Sequence, residues 1–355
     1  NDIKLIMKKK FLLFSILFFL IFNLHAENLI NKQRLIPANS WLYEAISVLY
    51  MDLGQVSIIG SAPYSYEEFY FYFSKIDYSK LCENSKVIYE KIKNFFEKKE
   101  FEFNFEPLKI GFNLNLYSQL NYKSNDEVDW TFSNPYDGNR YYDYEEKIYK
   151  TANYGDESFV ASSQFFKPFA LLPVYFNFAE IIMIYTEPTF TKSYWGMNDD
   201  KNFTNIPYNL NDFDFYWPKT AYISTGKLWN NNFGINFHIG RSGHQIGRSS
   251  LGSVIYNNTF ETEAYSKLDL YTENFRAELN VVQVNPKRYM YLHNYEIKLF
   301  NKIRFSVLEG TFVNDDFELR YLNPFMIMHS YGAKDQNKSE FIFITIPFIL
   351  IPPFP

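Results

Sequence analysis

The chain has 355 residues, with 35 Lys and Arg against 40 Asp and Glu for a formal net charge of −5. Both signs are mixed along it and no basic stripe interrupts the acidic balance, which argues against a nucleic-acid partner. The one cysteine, Cys82, excludes an internal disulfide, so an oxidising compartment is allowed but is not used for stapling. The 38 Phe and 30 Tyr fit either an A/T-rich coding bias or aromatic girdles at two membrane interfaces. Their placement on one face of the strands below favours the girdles.

The first element is an export leader. Lys8, Lys9 and Lys10 form a basic region, Phe11 to Phe22 an apolar region, and Leu24-His25-Ala26 a small-residue end before Glu27. A helix that spans a bilayer needs roughly 20 apolar residues, and this run is shorter, so the spacing predicts cleavage after Ala26 and not a permanent anchor. Residues 1–6 precede the start at Met7 and are read as upstream translation. No lipobox cysteine is present.

From Pro37 to Lys99 the periodicity is helical. Ser40 is placed to cap a helix carrying Leu42, Ala45, Leu49 and Leu53, with Gly54 where it would stop. Ser65 with Glu68 three residues on is a capping-box signature ahead of Phe69, Tyr72 and Phe73. Leu81 to Lys98 carries Val87, Ile88, Ile92, Phe95 and Phe96. Three short helices read as a small periplasmic bundle that packs on something larger, with a soluble peptide-binding or carbohydrate-binding module as the alternative.

Near residue 101 the period becomes two. Leu108, Ile110, Phe112, Leu114, Leu116, Leu120 and Tyr122 alternate with Lys109, Asn113, Asn115, Gln119 and Asn121, predicting a strand with an apolar and an amide-rich face. Phe233 to Ile239 and Phe275 to Val281 repeat the pattern. Tyr289 to Leu299 and Ile303 to Val313 are two more, joined by a tight turn at Phe300-Asn301-Lys302. Segments of about ten residues match a tilted strand crossing a bilayer, where soluble strands are commonly nearer five or six. Polar connectors such as 125–154 and 193–220 read as extracellular loops. The expected fold is therefore mainly β: an antiparallel transmembrane β-barrel, preceded by a short N-terminal helical region. A soluble β-sandwich is the competing architecture. Ser158 to Glu187 is continuously apolar but divided by prolines, and reads as one or two hairpins with apolar lumen contacts.

The densest unusual stretch is Gly240 to Arg248. A hydrolase reading would use Ser242 and His244, but two residues on one loop rarely reach triad geometry and no third partner is evident. A phosphate cradle fails because no helix start follows. The favoured reading is a glycine-permitted tight loop or inward fold, whose Arg241 and Arg248 point into a polar lumen to pair with carboxylates or bind an anionic ligand. The scattered histidines support no metal site, and no cofactor motif is present. Glu296, Glu309 and Glu318 are read as charge balance for Arg276, Arg304 and Arg320.

In order, these features resemble the capsule assembly Wzi family of outer-membrane proteins. Gly240-Arg241 with its glycine-bearing loop and Leu251 to Asn258 is similar to the family's Gly-Arg and glycine-rich segment. Phe305 to Gly310, a strand ending in Glu309 with His293 upstream, and Tyr321-Leu322-Asn323-Pro324-Phe325 look like two further family stretches. The similarity spans roughly residues 37–338. The family's Trp-Gly-Pro-Gly is represented here only by Gln245 to Arg248. The resemblance implies a non-enzymatic barrel, delivered by the export and barrel-assembly machinery, that contacts outer-membrane lipid and binds or anchors surface polysaccharide. Arg241, Arg248, His293 and Glu309 are its candidate ligand-binding residues, and no catalytic residue is assigned. A porin or channel for small solutes is the alternative function, and an outer-membrane hydrolase a further one.

The expected organisation is residues 1–26 as upstream residues and leader, 27–100 as the helical region, 101–340 as the barrel, and 341–355 as an atypical proline-rich tail. Because proline is excluded from central strands and a barrel must close on itself in lipid, the tail reads as the mark of a truncated longer protein.

Overall fold

The structure, a computed structural model, describes residues 31–98, 101–120, 129–133, 140–143, 148–151, 158–162, 168–192, 204–207, 213–216, 220–249, 252–257, 264–323 and 339–349. The expected leader lies outside them. Three helices come first: α1 (Leu42–Asp52), α2 (Tyr66–Phe73) and α3 (Glu83–Glu97). Trp41, and not Ser40, occupies the N-cap of α1, and Gly54, at φ 63°, lies just past its end. At α2 the Ser65 side chain accepts the Glu68 N–H at 3.2 Å. That is half of a capping box; the Glu68 carboxylate turns away to the sheet instead of reaching back. The apolar stripes of the helices converge on Leu42, Ile46 and Leu49, Phe69 and Phe73, and Ile92 and Phe96, a core of their own.

The rest is mainly antiparallel sheet, with one parallel pair, Asp129–Ser133 with Ser158–Ser162. A two-residue strand, β1 (Ser61–Ala62), sits between α1 and α2. It is followed by β2 (Glu102–Phe105), β3 (Leu108–Phe112), β4 (Val174–Phe178), β5 (Ile182–Thr186), β6 (Ala221–Trp229), β7 (Phe233–Arg241), β8 (Gln245–Ser249), β9 (Gly252–Asn257), β10 (Ala264–Thr272), β11 (Phe275–Asn285), β12 (Arg288–Leu299), β13 (Ile303–Val313) and β14 (Ser339–Ile349). Eleven of them form one sheet in the order β2-β3-β4-β5-β6-β7-β10-β11-β12-β13-β14. Each strand pairs with the next in this up-and-down run, while β8 and β9 leave it to form a three-stranded sheet with β1. The architecture is mainly β, and among the described residues nothing pairs β2 with β14, so closure of the eleven-stranded sheet is not seen within them.

Antiparallel meandering puts alternate connections at the same end. At one end they are short: 106–107, 179–181, 230–232, 273–274 and 300–302. Three of these turns carry paired left-handed residues, Ala179-Glu180, Asn230-Asn231 and Phe300-Asn301. Each is closed by the i to i+3 hydrogen bond from Ile181, Asn232 or Lys302. Two consecutive positive φ values define the type I′ turn, whose twist suits a right-twisted hairpin. At the other end the connections are 113–173, 187–220, 242–263 and 314–338, with 286–287 as the short exception.

Side-chain polarity in this sheet is inverted relative to a protein in water. Turned towards the helices and buried are Asn177, Ser224, Asn236, His238, Lys267, Asp269, Arg276 and Glu278. Turned away and exposed are Phe178 (50% accessible), Ile184 (45%), Ile223 (46%) and Ile239 (48%). The alternation read from the sequence thus places the polar face inside.

Several expectations are corrected. The strand expected over 108–122 stops at Phe112, and Asn115–Leu116 instead joins a separate four-stranded sheet with Ala170–Leu171. Of 158–187, residues 163–167 and the side chains of 158–162 lie outside the described residues; the expected hairpin is present as β4–β5, on which Phe176, Phe178, Ile182 and Ile184 point outward, while Tyr175, Asn177, Met183 and Tyr185 point in. The proline-rich end is no tail up to Ile349, because β14 pairs with β13 along its whole length, with Pro347 opposite Phe305. Among the described residues β14 is the edge of the sheet, a position at which proline is found in strands.

Candidate functional site

The polar face gathers its charges where the helical region meets the sheet. Residues i and i+2 on β10 and β11 share a face, so Lys267, Asp269, Arg276 and Glu278 all point at α2 and β1. The Arg276 guanidinium binds Asp269 at 2.6 Å, Glu68 of α2 at 2.9 Å, and Glu278. It donates to Ser61 Oγ at 2.8 Å and lies 4.3 Å from the Tyr64 ring centre. Lys267 reaches Asp269 at 3.4 Å and donates to the Pro63 carbonyl at 2.8 Å. Two cations therefore face Glu68, Asp269, Glu278 and Glu296, all of them buried. Burial raises the Glu68 carboxyl above its ordinary range, with Arg276 opposing the shift.

The Gly240–Arg248 stretch folds inward, as its glycines suggest. Gly247 adopts φ 72°, and its N–H donates to the Gly60 carbonyl at 2.9 Å, while β8 pairs with β1 through Ser61↔Ile246 and Ala62↔Gln245. Ser242 and His244 are both buried in the fold, with Ser242 also at the wall of the cleft between the helical region and the ends of β2, β5 and β6. Ser242 Oγ lies 2.5 Å from the Tyr265 hydroxyl, and His244 is fully buried, stacked on Tyr265 and 3.7 Å from Glu278. Burial lowers the His244 imidazole below its ordinary range.

The four candidate ligand residues do not converge. Arg241 ends β7, exposed, between Ala221 and Ala264 on the neighbouring strands. Arg248 lies on β8 opposite Ser253, and its side chain is outside the described residues. His293 and Glu309 are cross-strand neighbours on β12 and β13, both buried, and the His293 ring is 2.9 Å from the Tyr321 carbonyl. Of the expected charge pairs, Glu296 lies 3.9 Å from both Arg276 and Arg304, and Glu318 pairs with Arg320. Glu309 faces His293 instead.

The concave feature lies elsewhere. A cleft of about 800 Å³ opens between the start of the helical region and the inward ends of β2, β5 and β6. Its wall holds Trp41, Tyr66, Tyr185 and Tyr222 with Arg34 and Glu187. The Arg34 guanidinium lies 5.5 Å from the Tyr185 ring and 5.8 Å from that of Tyr66. Tyr185 stacks on Tyr222 at 5.0 Å and donates to Glu187 at 2.8 Å. Burial raises the Glu187 carboxyl above its ordinary range. The volume falls within the roughly 300–1,000 Å³ of small-ligand clefts, and aromatic faces beside a few fixed polar groups suit a ligand with apolar faces and hydroxyl edges. Ser242 and Gly243 of the Gly240–Arg248 stretch also line it, but sequence reading did not assemble the cleft because its other residues come from distant segments. Among the described residues, no group of three or more His, Cys, Asp or Glu is placed to hold a metal. No family model matches the chain, and no curated protein or solved structure matches it.

Proposed function

We propose that this chain is an outer-membrane β-barrel protein of the capsule assembly Wzi type, which binds or anchors surface polysaccharide without catalysing a reaction. The observation that carries the membrane half of this reading is the inverted polarity of the eleven-stranded sheet. Apolar side chains on its outward face would be an aggregation liability in water and match hydrocarbon in a bilayer. Short I′ turns at one end and long connections at the other follow the plan of outer-membrane barrels. No described helix is long and apolar enough to cross a membrane.

The cleft beside Trp41 and Tyr185 supports the glycan half, since pyranose rings offer C–H faces for aromatic packing and hydroxyls for Arg34 and Glu187. The burial of His244 and the engagement of Ser242 with Tyr265 weigh against the hydrolase alternative. The test combines outer-membrane fractionation and heat-modifiable gel migration with glycan staining of a deletion strain. The proposal expects a heat-modifiable outer-membrane band and diminished surface polysaccharide on deletion. A soluble protein, or unchanged glycan, would overturn the corresponding half.

A further inference from the structure

The four-stranded sheet that holds Asn115–Leu116 and Ala170–Leu171 also contains Thr189–Lys192 and Phe213–Tyr216, and its strands follow one another in the same order as β3, β4, β5 and β6 beside it. The register agrees as well. Phe112 of β3 opposes Val174 of β4, and beyond the gap Asn115 opposes Leu171 without a slipped residue. Val174 also opposes Thr186 of β5, and beyond the gap Leu171 opposes Thr189, again in step. Between Thr186↔Ala221 and Thr189↔Tyr216 the β6 side takes up two extra residues, an even number that leaves the faces unchanged. One hydrogen bond crosses each gap: Asn113 N–H to the Pro173 carbonyl, Leu172 N–H to the Pro188 carbonyl and Glu187 N–H to the Thr220 carbonyl, each at 3.0 Å. Pro173 and Pro188 have no N–H to return, so the ladder thins at these positions without ending.

The outward apolar face of β3 to β6 therefore continues into the smaller sheet. It carries Leu116 (70% accessible), Phe213 (43%) and Phe215 (45%), with the Phe190 ring 5.5 Å from that of Phe215 and 5.6 Å from that of Phe213. The opposite face looks inward, since Asn115 and Leu171 line the cleft. Lys192 ends the apolar face: it is buried, and its ammonium donates to the Thr204 carbonyl at 3.4 Å. Length argues the same way. β3, β4 and β5 have five residues each, about half of the 9–11 that a tilted strand needs to cross a bilayer. Followed through the prolines they run over 108–116, 170–178 and 182–192 and reach that length. We propose that the four-stranded sheet is the half of the membrane wall distal to the short turns, with Leu116, Phe190, Phe213 and Phe215 against lipid acyl chains. Residues 213–216 then belong to the bilayer and not to an extracellular loop. The cleft on the other face lies within the depth of the membrane, and a glycan reaches it from the long-connection end. This rests on the membrane-barrel reading above.

The test places a nitroxide label on the full chain, in a Cys82→Ser background, at Phe215→Cys or, as a reference in the main sheet, at Ile184→Cys, with the protein folded into phosphatidylcholine vesicles. Relaxation of each label by oxygen, which concentrates in hydrocarbon, is compared with relaxation by a water-soluble nickel chelate. The Ile184 label reports on the barrel reading alone. Oxygen is expected to relax the Phe215 label several-fold more than the chelate does, as it does at Ile184. A Phe215 label that meets the chelate as readily as oxygen, or that meets neither because a loop or a second copy covers it, overturns the proposal, while an oxygen-favouring Ile184 leaves the barrel standing. A chelate-exposed Ile184 overturns both. Should Phe215→Cys not fold, Leu116→Cys, at the more exposed position on the same face, is read by the same criteria.

Discussion

The interior of the helical region and its seat on the sheet are both buried, yet the first is apolar while the second sets a buried charge cluster beside the apolar contacts of Leu35 with Tyr175, Met183, Tyr185 and Tyr222. Inside the helices, Leu42, Ile46, Leu49 and Phe69 exclude water by packing. At the seat, Arg276, Lys267, Glu68 and Glu278 exclude water and pair with one another, although Glu68 Oε2 has no hydrogen-bond partner among the described residues. The first arrangement is cohesive whatever surrounds it. The second depends on every partner being present, because a buried charge that loses its partner keeps its full desolvation cost. Burial alone thus says little about how two parts of a protein will separate.

The comparison can be broken at either side. Arg276→Met leaves Asp269, Glu278 and Glu68 without their shared cation and is expected to cost about 3–5 kcal/mol. Hydrogen exchange should show the loss at the seat, with the amides of α1 still protected; equal loss in α1 would mean that the two regions are one cooperative unit. Leu49→Ala, in the helical core, is expected to cost about 2–5 kcal/mol and to loosen α1 to α3 while the amides of β10 and β11 stay protected. Ser65→Ala removes the cap on α2 and should cost about 1 kcal/mol, read as faster exchange in its first turn.

The smallest effect is a pH dependence. Burial raises the Glu68 carboxyl above its unfolded value. The stability linked to it is then complete below the ordinary Glu range and is lost as pH rises through the folded value. Release of the helical region by urea should accordingly become easier from mildly acidic pH upward, and Glu68→Gln should flatten that slope. A slope of the opposite sign would assign the dependence to other carboxylates.

Local signals were legible in the sequence, and distant pairings were not. The alternation over Ile303 to Val313, the turn at 300–302 and the Ser65 cap each depend on residues within one element, so propensity and period suffice. The partner of Glu68 lies 208 residues away, and no local pattern tells a capping glutamate to turn towards Arg276. The β14 strand was hidden because Pro347 reads as a breaker, and its tolerance depends on a position at the sheet edge that only the pairing reveals. Of the four residues proposed for ligand binding, Arg241 and Arg248 rest on the glycine-bearing loop and His293 and Glu309 on a linear similarity. Arg241 ends up at a strand end and His293 inside the wall, while the cleft draws on Arg34, Trp41, Tyr185 and Glu187 from unconnected segments.

The central claim is that the outward face of the sheet lies in lipid. Lysine in place of Ile184 or Ile223, cross-strand neighbours that are both exposed, separates the two environments by its sign and size. Measured as the free energy of folding into phospholipid vesicles, each substitution is expected to cost about 2–4 kcal/mol if it sits near the bilayer midplane. A change within about 0.5 kcal/mol for both, as for exposed positions in water, would contradict the account.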